Sequence, residues 1–386
     1  MKKLRVGVIY GGRSGEHEVS IASAAAVMAN LDRARYEPVP IRIDREGRWA
    51  LADKPPTAAS ASDVIDQTRS EMKGIRAGRE VHLVARPSEE TILAIDRTHG
   101  RGGEEPGALV TGVGLDVIFP VLHGPHGEDG TVQGLLELAN VPYVGCGVLA
   151  SAVGMDKAMM KRVFAAHGLP NCAWDVVLRR RVLAEPDAVA DEVADHLGFP
   201  VFVKPANLGS SVGISKARTH DELVDALKLA ADFDRKVVVE AAVPSAREIE
   251  VAVLGNDDPV ASVPGEIVPS REFYDYEAKY LDSGSRLAIP AEMPAEMGAR
   301  LQQLAIEAFR AVDASGLSRV DFLVNGENGD VFVNEINTMP GFTTISMYSK
   351  LWAASGLTYP ELVDRLVQLA LERHAEKQQL RVSPLT

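Results

Sequence analysis

Near the C-terminus, the segment SRVDFLVNGENGDVFVNEIN (residues 318–337) reads as two β-strands joined by a glycine-containing turn. A three-residue loop Glu327-Asn328-Gly329, with Gly329 left-handed, sets Asp321 opposite Glu335 and Arg319 opposite Asn337. Strand alternation then sends these four side chains to one face and Val320, Phe322, Val324, Phe332 and Ile336 to the other, with Asn334 the exception. Two carboxylates and an amide are hard oxygen donors of the kind Mg²⁺ takes while sharing a substrate's phosphates. A neighbouring arginine suits phosphoryl or carboxylate oxygens. A solvated sheet face with cross-strand charge pairs accounts for the same residues.

Four further segments hold candidate chemistry. Lys204 ends the strand PVFVKPA, and Gly209, Ser210, Ser211 and Gly213 after it let backbone N–H groups and hydroxyls approach an anion. The spacing is not that of a Walker loop, and a tight turn alone explains the small residues. In GGRSGEHEVS a dinucleotide fingerprint fails at Tyr10, which stands where the first glycine belongs, although Gly12 and Gly15 fit and Asp44 follows the second strand as a ribose acid would. The helix N-terminus behind Ser14 still offers amides to a carboxylate. HGPHGEDG carries His123, His126, Glu128 and Asp129 in a glycine-rich loop, not on one helix face, which favours substrate contact over metal ligation. Asp129 as a helix cap is the plain structural account. Finally, FYDYEAKYLD (273–282) suits neither helix nor strand and reads as a lid or as an edge loop pinned by its tyrosines.

These segments need elements to position them. LRVGVIYGG, EVSIASAAAVMANL and PVPIRID (38–44) form a β-α-β start, which argues an open, parallel, helix-covered sheet. Residues 53–114 are rich in Ala, Ser, Pro, Arg and Gly and read as a surface insertion with one strand-like island at 81–85. LDVIFPVLHG, TVQGLLELAN and VPYVGC complete a first unit near residue 150. Two α+β units follow, at 151–243 and 244–386. A chain of 386 residues accommodates three domains.

Charge and cysteine usage exclude some classes. With 41 basic and 54 acidic residues the net charge is −13, which argues against nucleic acid or an anionic membrane as partner and confines any anion site to a local cleft. Cys146 and Cys172 match neither a disulfide framework nor a metal spacing, and a reducing cytoplasm is the expected setting. The apolar run after Lys2 and Lys3 is too short for a signal peptide, and no run is long enough to span a membrane.

Taken in order, GGRSGEHEVS, HGPHGEDGTVQG, MDK, VKPANLGSSVGIS, YDYEAKY, RVDF and NEINTMPGFT resemble the ATP-grasp family, and within it the D-alanine:D-alanine ligase branch. The resemblance covers nearly all of the chain outside 53–114. It implies a pre-ATP-grasp type N-terminal domain followed by a two-part ATP-grasp α+β fold. By position it gives Lys157, Lys204 and Lys279 the nucleotide phosphates, with Ser211 in the same loop. Glu240 resembles the acid beside the adenine, Ala241 and Val243 the hinge backbone, and Glu248 the ribose-holding residue. Asp321, Glu335 and Asn337 match the ligands of two Mg²⁺ or Mn²⁺ ions. Glu16 resembles the holder of the first D-alanine's amino group and His123 a residue of that pocket, while Ser346 and Met347 match positions that take the second D-alanine's carboxylate. Arg319 and the Gly341 amide match oxyanion donors, and Tyr280, Ser210 and Glu16 a triad that closes the lid. The implied activity is ATP-dependent formation of D-alanyl-D-alanine for peptidoglycan precursors, by a cytoplasmic homodimer, with activation by a monovalent cation. Tyr280 favours an amine as second nucleophile, since relatives that make D-alanyl-D-lactate lack that tyrosine. The competing readings are a ligase for another dipeptide or depsipeptide, a nicotinamide-dependent oxidoreductase, and a non-catalytic nucleotide sensor.

Overall fold

The computed structural model describes residues 2–58, 60–65, 79–98, 107–268 and 286–381. Its strands form three sheets that follow one another along the chain. The first contains β1 (Leu4–Gly11), β2 (Tyr36–Ile43), β3 (Trp49–Leu51), β4 (Arg79–Leu83), β5 (Ile92–Thr98), β6 (Gly107–Val113) and β7 (Val117–Val121), in the order β6-β5-β4-β3-β2-β1-β7. β1 runs parallel to β2 and to β7, and the alanine-rich helix His17–Asn30 makes the crossover to β2. Small buried residues such as Ala22 and Ala24 let that helix lie close against the sheet.

Beyond β2 the pairing is antiparallel. Much of 53–114, expected as a surface insertion, therefore lengthens the sheet. Its strand-like island is β4, while β5 and β6 carry little strand signal: the buried Ile92 and Ala94 of β5 are soon followed by polar residues, and residues 108–112 of β6 are exposed. The expected strand VPYVGC is reduced to one parallel bridge between Tyr143 and Ile118.

The second sheet is antiparallel and contains β8 (Trp174–Leu178), β9 (Val201–Pro205), β10 (Ser215–Ala217) and β11 (Lys236–Ala241), ordered β10-β9-β11-β8. Helices Pro186–Leu197 and His220–Phe233 cover it through a separate apolar cluster that includes Val193, Val203, Leu227 and Val239. The third sheet contains β12 (Arg247–Gly255), β13 (Val260–Ala261), β14 (Gly265–Val268), β15 (Arg286–Ala288), β16 (Gly316–Val324) and β17 (Val331–Asn337), ordered β15-β14-β12-β16-β17 with β13 on β12. One face, including Val251, Val320 and Phe322, packs on helix Ala295–Ala311 through Leu301, Ala305 and Phe309.

The other face carries Ala252, Leu254 and Leu317 into a cluster with helices Met347–Ala354 and Tyr359–Lys377. Val6, Val8 and Phe119 of the first sheet belong to that same cluster, so the first and third sheets share a core. Polar ties reinforce it: the Tyr36 hydroxyl donates to Asp364 at 2.5 Å, and Arg373 donates to the carbonyls of Gly145 and Tyr143 at 2.5 and 3.1 Å.

Between β16 and β17 the expected pairs Asp321 with Glu335, Val320 with Ile336 and Arg319 with Asn337 are present. Nearer the turn the register differs. Asn325 and Asp330 close a four-residue turn, not a three-residue one, through bonds of Asn325 N to Asp330 O and Gly329 N to Asn325 O, both 2.8 Å. Phe322 then pairs with Val333 and Val324 with Val331, so Asn334 is the extra residue of a β-bulge. Phe332 accordingly leaves the apolar face, where Val331 and Val333 take its place. The longer turn and the bulge each shift the register by one residue and cancel before Glu335. Phe322 is 1% exposed beneath this face. Phe322→Ala is expected to lower the unfolding free energy by ~3–5 kcal/mol, measured by urea denaturation; a loss under ~1 kcal/mol would contradict this packing.

Candidate active site

All three sheets contribute to one cleft of about 600 Å³. Its floor is the polar face of β12, β16 and β17, where the register places Glu250, Asp321 and Glu335 in a row across three strands. Two-residue periodicity brings Arg319 onto the same face. Its guanidinium donates to both Asp321 oxygens, each at 2.6 Å, and lies 3.0 Å from Glu250. Burial alone would lower the Arg319 pKa, but the Asp321 and Glu250 carboxylates hold it well above its ordinary value. Asn337 Nδ2 donates to Asp321 at 3.0 Å. Glu335 faces Lys157 Nζ at 3.1 Å, and that ammonium also donates to the Leu208 carbonyl at 3.1 Å. Lys157 opens helix Lys157–Ala166, capped by Asp156, which accepts from the Met159 amide at 3.1 Å.

Lys204, near the end of β9, donates to Glu240 at 2.9 Å and to the bulged Asn334 at 3.3 Å. Lys161, one helical turn beyond Lys157, lies 3.3 Å from the other Glu240 oxygen. Burial would raise the Glu240 carboxyl, but Lys161 and Lys204 together outweigh it and hold the group down at about 2. After Lys204 the chain turns through Ser210 and Ser211, at φ of 51° and 59°, and Gly213 at 70°. Two successive serines in the left-handed region cost ~1–3 kcal/mol each, a strain found where a loop meets a ligand. A β-carbon at Gly213 would stand 2.6 Å from the Phe233 ring.

This loop reaches the first sheet, where the Ser210 hydroxyl donates to Glu16. The Glu16 carboxylate fits there because Gly124 has no side chain: a β-carbon would lie 2.8 Å from Glu16 Oε2. His123 Nδ1–H donates to the Met339 carbonyl at 3.0 Å, which leaves Nε2 to accept from Ser23 at 3.0 Å. Burial lowers its pKa against the opposing pull of Glu16, so the ring is neutral. Ser23 also accepts from the Phe342 amide at 3.1 Å, fixing the turn that holds Gly341. Ser346, which accepts from the Thr343 amide at 3.0 Å, and Met347 line the same end of the cleft with Gly341.

Val243, Glu248 and Ser211 also line the cleft; Glu240 is buried against the cleft residue Lys204, and the next residue, Ala241, donates its amide to the Ala173 carbonyl at 2.9 Å. Lys279 and Tyr280, with the whole expected lid at 273–282, lie outside the described residues. In HGPHGEDG, Asp129 accepts from the amides of His126 and Thr131, at 2.8 and 3.0 Å, closing the turn one residue before Gly130, which is the N-cap position of helix Thr131–Ala139. Burial, helped by Glu16 and Glu335, pushes the Glu128 carboxyl up to about 8. Asp44 accepts from the amides of Glu46 and Arg48 at 3.0 and 2.8 Å, closing a turn and not awaiting a ribose. Cys146 and Cys172 are separate buried thiols.

Among the described residues no group of three or more His, Cys, Asp or Glu side chains could by itself hold a metal ion. Asp321, Glu335 and Asn337 supply two carboxylates and an amide oxygen on one sheet face, fewer than a complete Mg²⁺ shell. That donor set fits a divalent ion whose remaining positions are filled by water and a phosphate-bearing ligand. Lys161, Glu250 and Asn334 were missed in the sequence. Lys161 follows Lys157 at helical spacing and Glu250 follows Glu248 at strand spacing, so periodicity alone could have found them; the bulge at Asn334 has no such signal.

A front α/β unit closing on two further sheets, with buried lysines from one facing paired carboxylates on the other, is the arrangement of an ATP-grasp ligase. Family models described as "D-ala D-ala ligase N-terminus" and "D-ala D-ala ligase C-terminus" match residues 5–146 and 163–368. The chain belongs to the D-ala D-ala ligase family. It is 54% identical over 378 residues to the D-alanine–D-alanine ligase of Heliobacterium modesticaldum, covering 98% of this chain and 97% of that one. The D-alanine–D-alanine ligase of Geobacillus kaustophilus is 48% identical over 376 residues, 97% of each chain. The solved D-alanine-D-alanine ligase from Coxiella burnetii superposes with a TM-score of 0.79 at 37% identity, over 98% of this chain and 97% of that one. The VanG D-Ala:D-Ser ligase from Enterococcus faecalis gives 0.79 at 33% identity, over 96% of this chain and all of its own (100%).

The Glu240 carboxyl at about 2, below its ordinary 4.5, has a signed consequence: folding favours its ionised form, a contribution present above pH 4.5 and lost as pH falls toward 2. Glu240→Gln is therefore expected to melt below the parent protein at neutral pH, with the difference shrinking as the pH drops through that window. A difference independent of pH, measured by thermal melting from pH 7 to 2.5, would contradict the two-lysine arrangement.

Proposed function

We propose that this chain joins two D-alanines in a reaction driven by ATP, giving D-alanyl-D-alanine, ADP and phosphate for peptidoglycan precursor synthesis. The observation that carries the reading is the cleft floor: Arg319, Asp321 and Glu335 on adjacent strands, with Lys157 and Lys204 above them. Relatives 45–54% identical over almost the whole chain bear the name D-alanine–D-alanine ligase, which disfavours another dipeptide or depsipeptide as product.

In this reading Lys157, Lys204, the Ser211 loop and Lys279 take the nucleotide's phosphates. Glu240 and the backbone at Ala241 and Val243 meet the base, and Glu248 the ribose. Asp321, Glu335 and Asn337 would hold two Mg²⁺ or Mn²⁺ ions, which when bound spread the phosphates' negative charge. Glu16 holds the first D-alanine by its amino group in a pocket that His123 lines, leaving its carboxylate to attack the γ-phosphorus. The new O–P bond replaces the bond to ADP and yields D-alanyl phosphate. Ser346 and Met347 place the second D-alanine so that its amine attacks the acyl carbon. The tetrahedral oxyanion then lies against the Arg319 guanidinium and the Gly341 amide until the C–O bond to phosphate breaks. Ser210 and Glu16, already joined, would form with Tyr280 the clasp that keeps water from the acyl phosphate. A cytoplasmic setting and a homodimer complete the proposal, with a monovalent cation as activator. The buried free thiols agree with a reducing setting, and no helix among the described residues is long and apolar enough to cross a membrane.

Incubation with ATP, Mg²⁺ and D-alanine alone is expected to release phosphate in step with the dipeptide. Glu335→Gln should lower kcat/KM by ~10²-fold or more. Comparable turnover of D-lactate and D-alanine as second substrate at neutral pH would overturn the specificity, and full activity of Glu335→Gln the metal assignment.

A further inference from the structure

Lys161 has no part in the assignments above, yet its side chain is fully buried at 0% exposure. Among the described residues its polar neighbours are the Glu240 carboxylate at 3.3 Å and Cys172 Sγ at 3.7 Å. A lysine is almost never buried so completely unless it is paired, and here the pair is shared. One Glu240 oxygen faces Lys161 and the other faces Lys204 at 2.9 Å. The two cations differ in what they can do. Lys204 lines the cleft, whereas Lys161 sits fully buried between its helix and β11 and does not reach it.

We infer that Lys161 is a positioning residue that keeps the Glu240 carboxylate charged and aimed while Lys204 leaves it for the nucleotide's phosphates. The inference rests on the placement of ATP proposed above. A buried carboxylate stripped of its only cation is strongly disfavoured. If Lys204 were the sole partner of Glu240, phosphate binding would leave a bare buried anion behind it. Lys161 on the second oxygen removes that conflict, so Lys204 is released to the phosphates and Glu240 remains an ionised acceptor for an amino group of the base. Cys172, 3.5 Å from Glu240, is a thiol whose pKa burial raises; it is neutral and cannot substitute for the lysine.

The test compares steady-state KM for ATP, at saturating D-alanine, in the parent protein, Lys161→Met, Glu240→Gln, the double variant and Lys204→Met, with thermal melting of each. Lys161→Met is expected to raise KM for ATP by ~10- to 100-fold with kcat within a few-fold. The double variant has no carboxylate at this position to hold Lys204 back, and its side-chain amide oxygen still accepts a hydrogen bond, so it should recover most of that loss. If Lys161→Met fails to fold, the comparison within the Glu240→Gln background decides. There, adding Lys161→Met should leave KM for ATP within about twofold, because Lys161 acts only through Glu240. An unchanged KM in Lys161→Met, or a double variant clearly worse than Glu240→Gln, would overturn the role of Lys161 alone. An unchanged KM in Lys204→Met would overturn the nucleotide placement and this role with it.

Discussion

Asp321 and Glu335 stand opposite one another on adjacent strands, and two carboxylates so placed repel unless cations neutralise them. The surrounding structure answers that requirement. Arg319 grips Asp321 from within the same strand, and Lys157 reaches Glu335 from the start of a helix that joins the first unit to the second. Glu240 repeats the pattern one layer back with Lys161 and Lys204. The acidic molecule, at −13 overall, thus sets Lys157, Lys204 and Arg319 together along one cleft. In the proposed placement of ATP, protein carboxylates occupy those cations until phosphates arrive, so ligand binding would exchange ion pairs and not create them from water.

Preformed pairing has a second effect. Arg319 is held by Asp321 and Glu250 at once, so a metal drawing on Asp321 would leave the guanidinium anchored by the other carboxylate. A donor that need not reorient when charge develops is worth more to catalysis than one that must be recruited. His123 serves similarly: with both ring nitrogens committed to Met339 and Ser23, it stiffens the turn bearing Gly341.

The carboxylate face was legible in the sequence because strand alternation is a local rule, and the pairing of Asp321 with Glu335 followed from it. The intervening register was not legible. A turn one residue longer and a bulge at Asn334 cancelled, so the prediction reached the right pair by a path that misplaced Phe332. A bulge is chosen by what the extra residue meets, here Lys204 from another sheet, and no pattern within β17 encodes that. Lys161 and Glu250 have the right periodicity, but their partners lie 79 and 69 positions away. Residues 53–114 misled for a different reason: antiparallel strands with one solvated face carry few apolar positions and read like loop.

The first and third sheets draw on one continuous apolar cluster, and Arg373 ties them further. The second sheet has its own cluster and meets the others through smaller contacts, among them Ser210 with Glu16, Lys204 with Asn334, Lys161 with Glu240, Lys236 with Asp156, and the small patch of Ala158, Ala206 and Val238. Prying the first sheet from the third would expose a shared interior to water, while separating the second would break mainly ion pairs, hydrogen bonds and one small apolar patch. The molecule is therefore built as two sheets fused on one interior and a third joined by smaller, more polar contacts, so its weakest internal seam runs along the cleft.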